Sequence, residues 1–318
     1  MPRTLVVGGA GLVGSHLVDR LLAEGQEVIA IDDLSRGAFA SGAHLRLDPR
    51  FALVEHDITR PFRAGVSTIF HLAMPSTRLG CEQDPVKAAM TCVAGTMHVL
   101  QVAAANDARL VIVPSTERWG EGIRCAEALA VDFGRARGVD VHIVRMPAAY
   151  GPRMAPDGDA LVTWLVLQAV RGEPLVPRGR LDRRVRLTYV DDAVETLVRA
   201  MKSEQHLPPL VADSCEVTVG ELARTVAEAA GLEGADVPED SGDGPPSMPM
   251  SGRPALVDAL PASIALEQPP PIDLREGLAR TVAWFETRTG RRIAERQSGV
   301  FARRDPARAT TPAALQAR

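Results

Sequence analysis

The chain has 318 residues, a formal net charge of −4 and 46% hydrophobic residues, enough for a sizeable core arranged as one large lobe and a smaller one. Its slight excess of acidic over basic residues argues against a nucleic-acid partner. Its four cysteines form no C-x-x-C pair, which argues against a zinc site or a disulfide framework. No stretch predicts a secretory or membrane segment, so we expect a cytoplasmic protein with reduced thiols, no metal and no membrane association.

The first half of the chain alternates short apolar runs with helical patterns. The apolar runs predict strands at 4–7, 27–31, 51–55, 67–71, 109–113 and 140–144, and the helical patterns lie at 12–24, 86–105 and 121–137. Strands that alternate with helices form βαβ units, so we predict an α/β fold with a doubly wound parallel sheet, a Rossmann domain over residues 1–150. Ligands of such sheets bind at the carboxyl ends of the strands.

After residue 150 the pattern changes to helices with few strand signals. Helical patterns lie at 159–171, 191–202, 218–230 and 274–288. The segment 231–272 between the last two is rich in Pro and Gly. We predict a smaller C-terminal substrate-binding lobe over 151–290, with parts of 185–215 completing the large sheet, and a flexible Arg- and Ala-rich tail over 291–318.

A glycine-rich segment joins the first predicted strand to the first helix. Its cofactor-binding candidates are Gly8, Gly11, Leu12, Val13 and Gly14. Glycines at such a junction permit a tight turn and a close approach of backbone to a pyrophosphate, and the helix N-terminus then faces negative charge. Because strand, loop, helix and next strand follow in order, the segment predicts dinucleotide binding, with a purely structural glycine turn as the alternative.

Two carboxylates, Asp32 and Asp33, end the second predicted strand, and Ser35 in the following turn completes this part of the predicted site. A carboxylate there accepts hydrogen bonds from the adenosine ribose hydroxyls and repels a 2′-phosphate, so we predict NAD rather than NADP. Arg36 either offsets that repulsion or is a solvated loop cation.

Longer motifs surround these residues. They are GGAGLVGSHLVDRLL near the start, IDDLSRG at 31–37, VEHDITRP at 54–61, IFHLAMPS at 69–76, YGPRM at 150–154 and YVDDAVETL at 189–197. With these motifs the chain resembles the extended short-chain dehydrogenases, also called the NAD-dependent epimerase/dehydratase family, and within it the UDP-glucuronate decarboxylases. The resemblance runs from residue 3 to about 288.

The resemblance implies a nucleotide sugar as substrate, transiently oxidised with NAD while a tyrosine phenolate takes the hydroxyl proton. A lysine one helical turn later lowers the pKa of that tyrosine in the family. The resemblance also implies a homodimer formed by the helices near 86–105 and 121–137. By the same resemblance, Asp57 and Ile58 contact adenine, and Leu72 and Ala73 line the nicotinamide side. Ser76 lies on that side too and is a predicted substrate-binding residue.

The chain departs from the family at the catalytic positions. Trp119 stands where the family carries its tyrosine, and Ile123 stands at the lysine. An indole N–H cannot serve as a titrating base, and isoleucine carries no charge. The loop that normally follows the Ser-Thr-x-Glu motif is missing, so that Thr116 and Glu117 run almost directly into Trp119.

Further departures concern the sugar site. Ala148 and Cys92 stand where the family carries asparagines, and the arginine of its sugar-nucleotide segment aligns with Val185. The flanking Arg184 and Arg186 either bind a diphosphate or form a solvated cationic edge.

Thr116 and Glu117 are the candidate catalytic residues. A buried glutamate with a raised pKa can act as a base, whereas at a helix start it is an ordinary structural residue. The sequence leaves three functions open. The first is an enzyme acting on a nucleotide sugar or related polar metabolite by non-standard chemistry. The second is a non-catalytic NAD-binding sensor or partner subunit. The third is non-redox catalysis in the sugar cleft.

Overall fold

Eleven strands form the sheets of the computed structural model, which describes residues 3–35, 45, 47–75, 78–116, 121–156, 160–177, 179–205, 207–232 and 259–289. The strands are β1 (Arg3–Val7), β2 (Glu27–Asp32), β3 (Phe51–Glu55), β4 (Thr68–His71), β5 (Arg109–Ile112), β6 (Val141–Arg145), β7 (Ala148–Tyr150), β8 (Arg184–Tyr189), β9 (Leu210–Val211), β10 (Cys215–Thr218) and β11 (Leu260–Pro261). Eight of them form one sheet in the order β11-β9-β6-β5-β4-β1-β2-β3, and every pairing in it is parallel.

Ten α-helices and one π-helical turn connect these strands in the described residues. The helices are α1 (Leu12–Ala23), α2 (Arg78–Gln83), α3 (Pro85–Met90), α4 (Thr96–Asn106), α5 (Glu121–Arg137), α6 (Leu161–Arg171), α7 (Val190–Lys202), α8 (Val219–Ala229), α9 (Ala262–Ala265) and α10 (Leu274–Thr289). The π-helical turn, Thr91–Gly95, joins α3 to α4.

The large sheet is covered on both faces. Alternate residues of a strand point to opposite faces, and here they enter different cores. Val6 and Phe70 pack in one apolar cluster with residues of α1 and α7. Leu5 and Ile69 pack in another cluster with residues of α4 and α5. The structure therefore confirms the predicted α/β fold with a doubly wound parallel sheet.

A second lobe surrounds a three-stranded sheet of order β10-β8-β7. Helices α6, α8 and α10 pack around it and share one apolar core with Tyr150 and Tyr189. Between these helices the chain returns to the large sheet, because α7 packs on α1 and the strands β9 and β11 extend that sheet. Parts of 185–215 were predicted to complete the large sheet. Of the strands in this range, β9 joins the large sheet and β8 joins the small one. The boundary at residue 150 stays a prediction.

The helical run Pro85–Asn106 is the one described segment long and apolar enough to cross a membrane by length and composition. Core helices of globular domains pass the same test, and this run packs against α5 and the sheet strands β4 and β5. The prediction of no membrane association stays a prediction.

His71, at the carboxyl end of β4, is fully buried, and its Nε2 lies 3.1 Å from Oγ1 of Thr96. Burial lowers its pKa from 6.5 to about 4, so the folded protein keeps the ring neutral. The unfolded chain takes up the proton first as the pH falls, so the stabilisation is complete above about pH 6.5 and is lost towards about pH 4. We expect the free energy of unfolding, from urea titrations, to fall by about 2 kcal/mol between about pH 7.5 and about pH 5 from this group.

A His71→Asn variant should lose this part of the pH dependence. Burial also lowers the pKa of His16, so a His16→Gln variant separates the two contributions. The NMR signal of the His71 ring offers a second measurement in the unmodified protein, since it should not titrate above about pH 5. A His71 ring that titrates near its ordinary pKa would contradict the prediction.

Candidate functional site

The loop between β1 and α1 is shaped by glycines at two positions. Gly8 has a φ of +86°, and a Cβ on it would lie 2.8 Å from the backbone nitrogen of Ala73. A Cβ on Gly14, in the first turn of α1, would lie 2.1 Å from the carbonyl oxygen of Gly8. Both positions therefore require glycine, and the loop lies closely against the start of the helix.

This loop presents hydrogen-bond donors at the carboxyl edge of the sheet. Gly11 is the N-cap of α1, and no side chain caps the helix there. The N–H groups of Leu12, Val13 and Gly14 have no partner within the helix because no turn precedes them. A tight glycine turn that aims such donors outward fits the pyrophosphate of a dinucleotide.

The Asp32 carboxylate at the end of β2 holds this loop in place. Its Oδ2 accepts a hydrogen bond from the backbone N–H of Ala10 at 3.0 Å, and its Oδ1 accepts one from Leu34 at 3.0 Å. Burial raises the pKa of Asp32, and the neighbouring Asp33 adds to the rise, while the two backbone donors oppose it. Asp32 therefore has a structural role in addition to its predicted place beside a ribose.

Asp33 has different partners. Its Oδ1 accepts hydrogen bonds from the backbone N–H and the hydroxyl of Ser35, at 3.1 and 2.6 Å. Its Oδ2 lies 3.0 Å from Nζ of Lys87, in the first turn of α3. Burial alone would raise the pKa of Asp33, but the bonds from Ser35 and Lys87 hold it below its ordinary value. Lys87 was not among the residues predicted from the sequence.

The other predicted cofactor residues also lie near the carboxyl edge of the large sheet. Asp57 follows β3 and accepts a hydrogen bond from the backbone N–H of Thr59. The Ile58 side chain is buried in the core shared by α4 and α5. Leu72 and Ala73 follow β4 and lie against Gly8. Ser76 and Arg36 lie outside the described residues, and the role of each of these residues stays a prediction.

Of the two candidate catalytic residues, the structure describes Thr116. It follows β5, is half-buried, and its backbone N–H donates to the carbonyl oxygen of Met146 at 2.9 Å. This bond ties the segment after β5 to the segment after β6, at the edge where ligands of such sheets bind. Glu117 and Trp119 lie outside the described residues.

Ile123, at the position of the family lysine, is 4% exposed in an apolar cluster. The cluster also contains Met74, Cys92, Ile112, Ala126, Ala130 and Ile143. Burial raises the pKa of the Cys92 thiol to about 12, so this thiol is neutral at physiological pH. The first turn of α5 therefore presents an apolar group to its neighbours at the position where the family carries a cation.

The sequence contains only two tyrosines and two lysines, and all four are described. Tyr150 and Tyr189 are 1% and 4% exposed, and their rings lie 5.5 Å apart in the core of the second lobe. Burial raises the pKa of both phenols. Lys87 binds Asp33, and Nζ of Lys202 lies 2.9 Å from Glu24. Each lysine is thus paired with a carboxylate.

A sequence model of the NAD dependent epimerase/dehydratase family matches residues 4–124 and 120–210. The chain belongs to this family. It is 34% identical over 311 residues to UDP-glucuronic acid decarboxylase 1 of Arabidopsis thaliana, covering 90% of this chain and 70% of that protein. It is 35% identical over 314 residues to UDP-glucuronic acid decarboxylase 6 of the same plant, covering 91% and 90%.

Solved structures agree on the fold of the epimerase/dehydratase family. The UDP-glucuronic acid 4-epimerase of Bacillus cereus, in complex with UDP-glucuronic acid and NAD, superposes with a TM-score of 0.75. The alignment covers 90% of this chain and 99% of that chain, at 19% identity. At this identity the likeness establishes the extended short-chain dehydrogenase fold alone.

The arginines predicted to bind substrate lie on β8 of this family member and share one carboxylate. Glu216 on β10 pairs with Arg184 at 3.1 Å and with Arg186 at 2.9 Å. Val185 between them points into the second core, and Ala148 packs there too. The cationic charge of this strand is thus partly neutralised, and a diphosphate would compete with Glu216. Within the described residues no His, Cys, Asp or Glu group is placed to hold a metal ion.

Proposed function

We propose that this family member binds NAD and acts on a nucleotide sugar or a related polar metabolite by chemistry that uses no tyrosine–lysine pair. One observation carries the second half of the proposal. The only two tyrosines lie in the core of the second lobe, while Ile123 fills the lysine position inside an apolar cluster. A phenolate base needs a titratable phenol at the substrate and a cation beside it. Neither requirement is met by the described residues.

The first half of the proposal rests on the loop and on the relatives. The Gly8–Gly14 loop would hold the pyrophosphate, Asp32 and Asp33 the adenosine ribose, and Leu72 with Ala73 the nicotinamide side. Bound there, NAD supplies a reversible hydride acceptor. The two relatives from Arabidopsis thaliana are named as decarboxylases of UDP-glucuronic acid, which makes this compound the first substrate to test.

For proton transfer the chain offers Thr116 and Glu117. The hydrogen bond to Met146 fixes the backbone of Thr116, whose hydroxyl would form a hydrogen bond with a substrate hydroxyl. A carboxylate in the next position would accept the proton that the sugar hydroxyl releases. The family model matches the chain in two segments that overlap at 120–124, beside these residues, which supports an altered catalytic segment.

The test is turnover of UDP-glucuronate by the full chain with NAD, followed by NMR of the sugar. We expect Tyr150→Phe and Tyr189→Phe variants to keep the activity of the unmodified protein, because neither phenol takes part. We expect Thr116→Val and Glu117→Gln each to reduce it by about 100-fold, the scale of losing a positioned acid–base group. Loss of activity in a folded Tyr150→Phe variant would refute the proposal.

A second function is favoured by the apolar cluster around Ile123. With a neutral Cys92 and no charge at the lysine position, the protein would bind NAD without turning over substrate, as a sensor or as a partner subunit of an active enzyme. NAD binding without change in any of a panel of nucleotide sugars would support this function, and turnover by the purified chain would exclude it. The homodimer and the cytoplasmic location stay predictions.

A further inference from the structure

Lys87 lies beside the predicted adenosine site and is not part of the family motifs described above. Its Nζ is 3.0 Å from Oδ2 of Asp33, and the two side chains are 47% and 30% exposed. Asp57 and Asp84 are also close enough to raise the pKa of Lys87 electrostatically. Of these three carboxylates, that of Asp33 is the one that the ammonium group contacts.

The two carboxylates at the end of β2 differ in what they hold. Both carboxylate oxygens of Asp32 accept hydrogen bonds from backbone N–H groups, those of Ala10 and Leu34. Asp33 uses one oxygen on Ser35 and the other on the ammonium of Lys87. Loss of the Asp32 carboxylate would therefore disturb the loop, whereas loss of the Asp33 charge would release a cation.

We propose that the Asp33–Lys87 ion pair selects the cofactor: Asp33 repels a 2′-phosphate and also binds the one nearby ammonium that would otherwise attract it. The inference rests on the proposed NAD binding and names the residues that set its specificity. A 2′-phosphate adds about two negative charges and would need Lys87 to leave Asp33. NAD places a neutral ribose hydroxyl at the same point and leaves the pair intact.

The position of Lys87 also explains why one lysine is enough to change the preference between NAD and NADP. Lys87 is held at the first turn of α3, where Asp84 caps the helix by accepting a hydrogen bond from the Lys87 backbone N–H at 2.9 Å. Its backbone is therefore fixed, and only its side chain needs to move to change partner. Without the Asp33 charge, we expect the same ammonium to be free to approach a 2′-phosphate on the ribose.

The experiment measures the dissociation constants of NAD and NADP by calorimetry on the full chain. In Asp33→Asn, which keeps the shape and the Ser35 bond, we expect the affinity for NADP relative to NAD to rise on the order of tenfold or more. In Asp33→Asn with Lys87→Met this gain should shrink to the part that comes from removing the Asp33 charge, and Lys87→Met alone should show none. Glu24→Gln is the matched control, because it removes the carboxylate of the other lysine pair, at Lys202, and should leave the ratio unchanged.

Three results would overturn the inference. An unchanged ratio in a folded Asp33→Asn variant that still binds NAD would overturn this inference alone. A gain of equal size in Asp33→Asn with and without Lys87→Met would exclude the lysine and leave only charge repulsion by Asp33. If the unmodified protein bound neither dinucleotide, the proposed function would fail, and this inference with it. Circular dichroism of each variant establishes that it is folded.

Discussion

Gly14→Ala should abolish measurable NAD binding and lower the free energy of unfolding by about 3 kcal/mol. The added Cβ would lie 2.1 Å from the carbonyl oxygen of Gly8, and that neighbour is backbone, which cannot rotate away. Either the loop or the first turn of α1 must shift, so the donors aimed at the pyrophosphate lose their arrangement. We expect the dissociation constant for NAD to rise at least about 100-fold, which corresponds to ~2.7 kcal/mol.

Gly65→Ala is the matched control. A Cβ at this exposed glycine would meet no heavy atom within 4 Å, and its φ lies outside the left-handed region. Its stability should stay within about 0.5 kcal/mol of the unmodified protein, with unchanged NAD affinity. Urea unfolding and calorimetry measure both quantities. Full NAD affinity in Gly14→Ala would show that this loop does not hold the cofactor.

Restoring the family residues by Trp119→Tyr with Ile123→Lys should not restore ordinary decarboxylation. The lysine would place an ammonium group in an apolar cluster whose titratable neighbour, Cys92, is neutral. A buried charge without a partner destabilises strongly, so we expect this variant to be about 4 kcal/mol less stable than Trp119→Tyr alone. The loop that borders the sugar in the family is also missing from the sequence, so the substrate would remain misplaced.

Ile123→Met separates the effect of the lysine charge from that of the side-chain shape, because methionine is unbranched and flexible like lysine but neutral. In the Trp119→Tyr background it should cost less than about 1.5 kcal/mol. Urea unfolding gives the stabilities, and NMR of UDP-glucuronate gives the activity. Robust decarboxylation by the Tyr/Lys variant would refute the prediction and would show that the two substitutions alone separate this chain from its active relatives.

The first half of the fold was predictable because buried parallel strands are continuous apolar runs and their helices are amphipathic. The helix at 121–137 and the strand at 51–55 have the predicted bounds. The strands β9 and β11 have two residues each, too few to show the alternation of apolar and polar residues that marks a strand. Nothing in their own sequence therefore distinguishes them from a loop. In β8 the alternation of exposed Arg184 and Arg186 with apolar residues was a strand signal, although we interpreted the arginines only as candidate ligands or as a solvated cationic edge.

The candidate site likewise contains residues that were predictable from the sequence and residues that were not. The glycine loop and the end of β2 were predictable because their function depends on local geometry and residue type. The pairing of Lys87 with Asp33 joins residues that are 54 positions apart, and no pattern within either segment indicates it. The burial of Ile123 likewise depends on neighbours from the π-helical turn, β5, β6 and the segment after β4. Such contacts are set by topology, which the local sequence does not specify.

After the second lobe begins, the chain returns to the large sheet. This return has a consequence for how the protein can evolve. Helix α7 covers one face of that sheet, and β9 and β11 protect the outer edge of β6. A gene fragment ending near residue 150 would encode a product with a bare apolar face and an unprotected strand, both of which promote aggregation. The two lobes cannot be shuffled as modules, and changes in the substrate half must be compatible with the half that carries the dinucleotide loop.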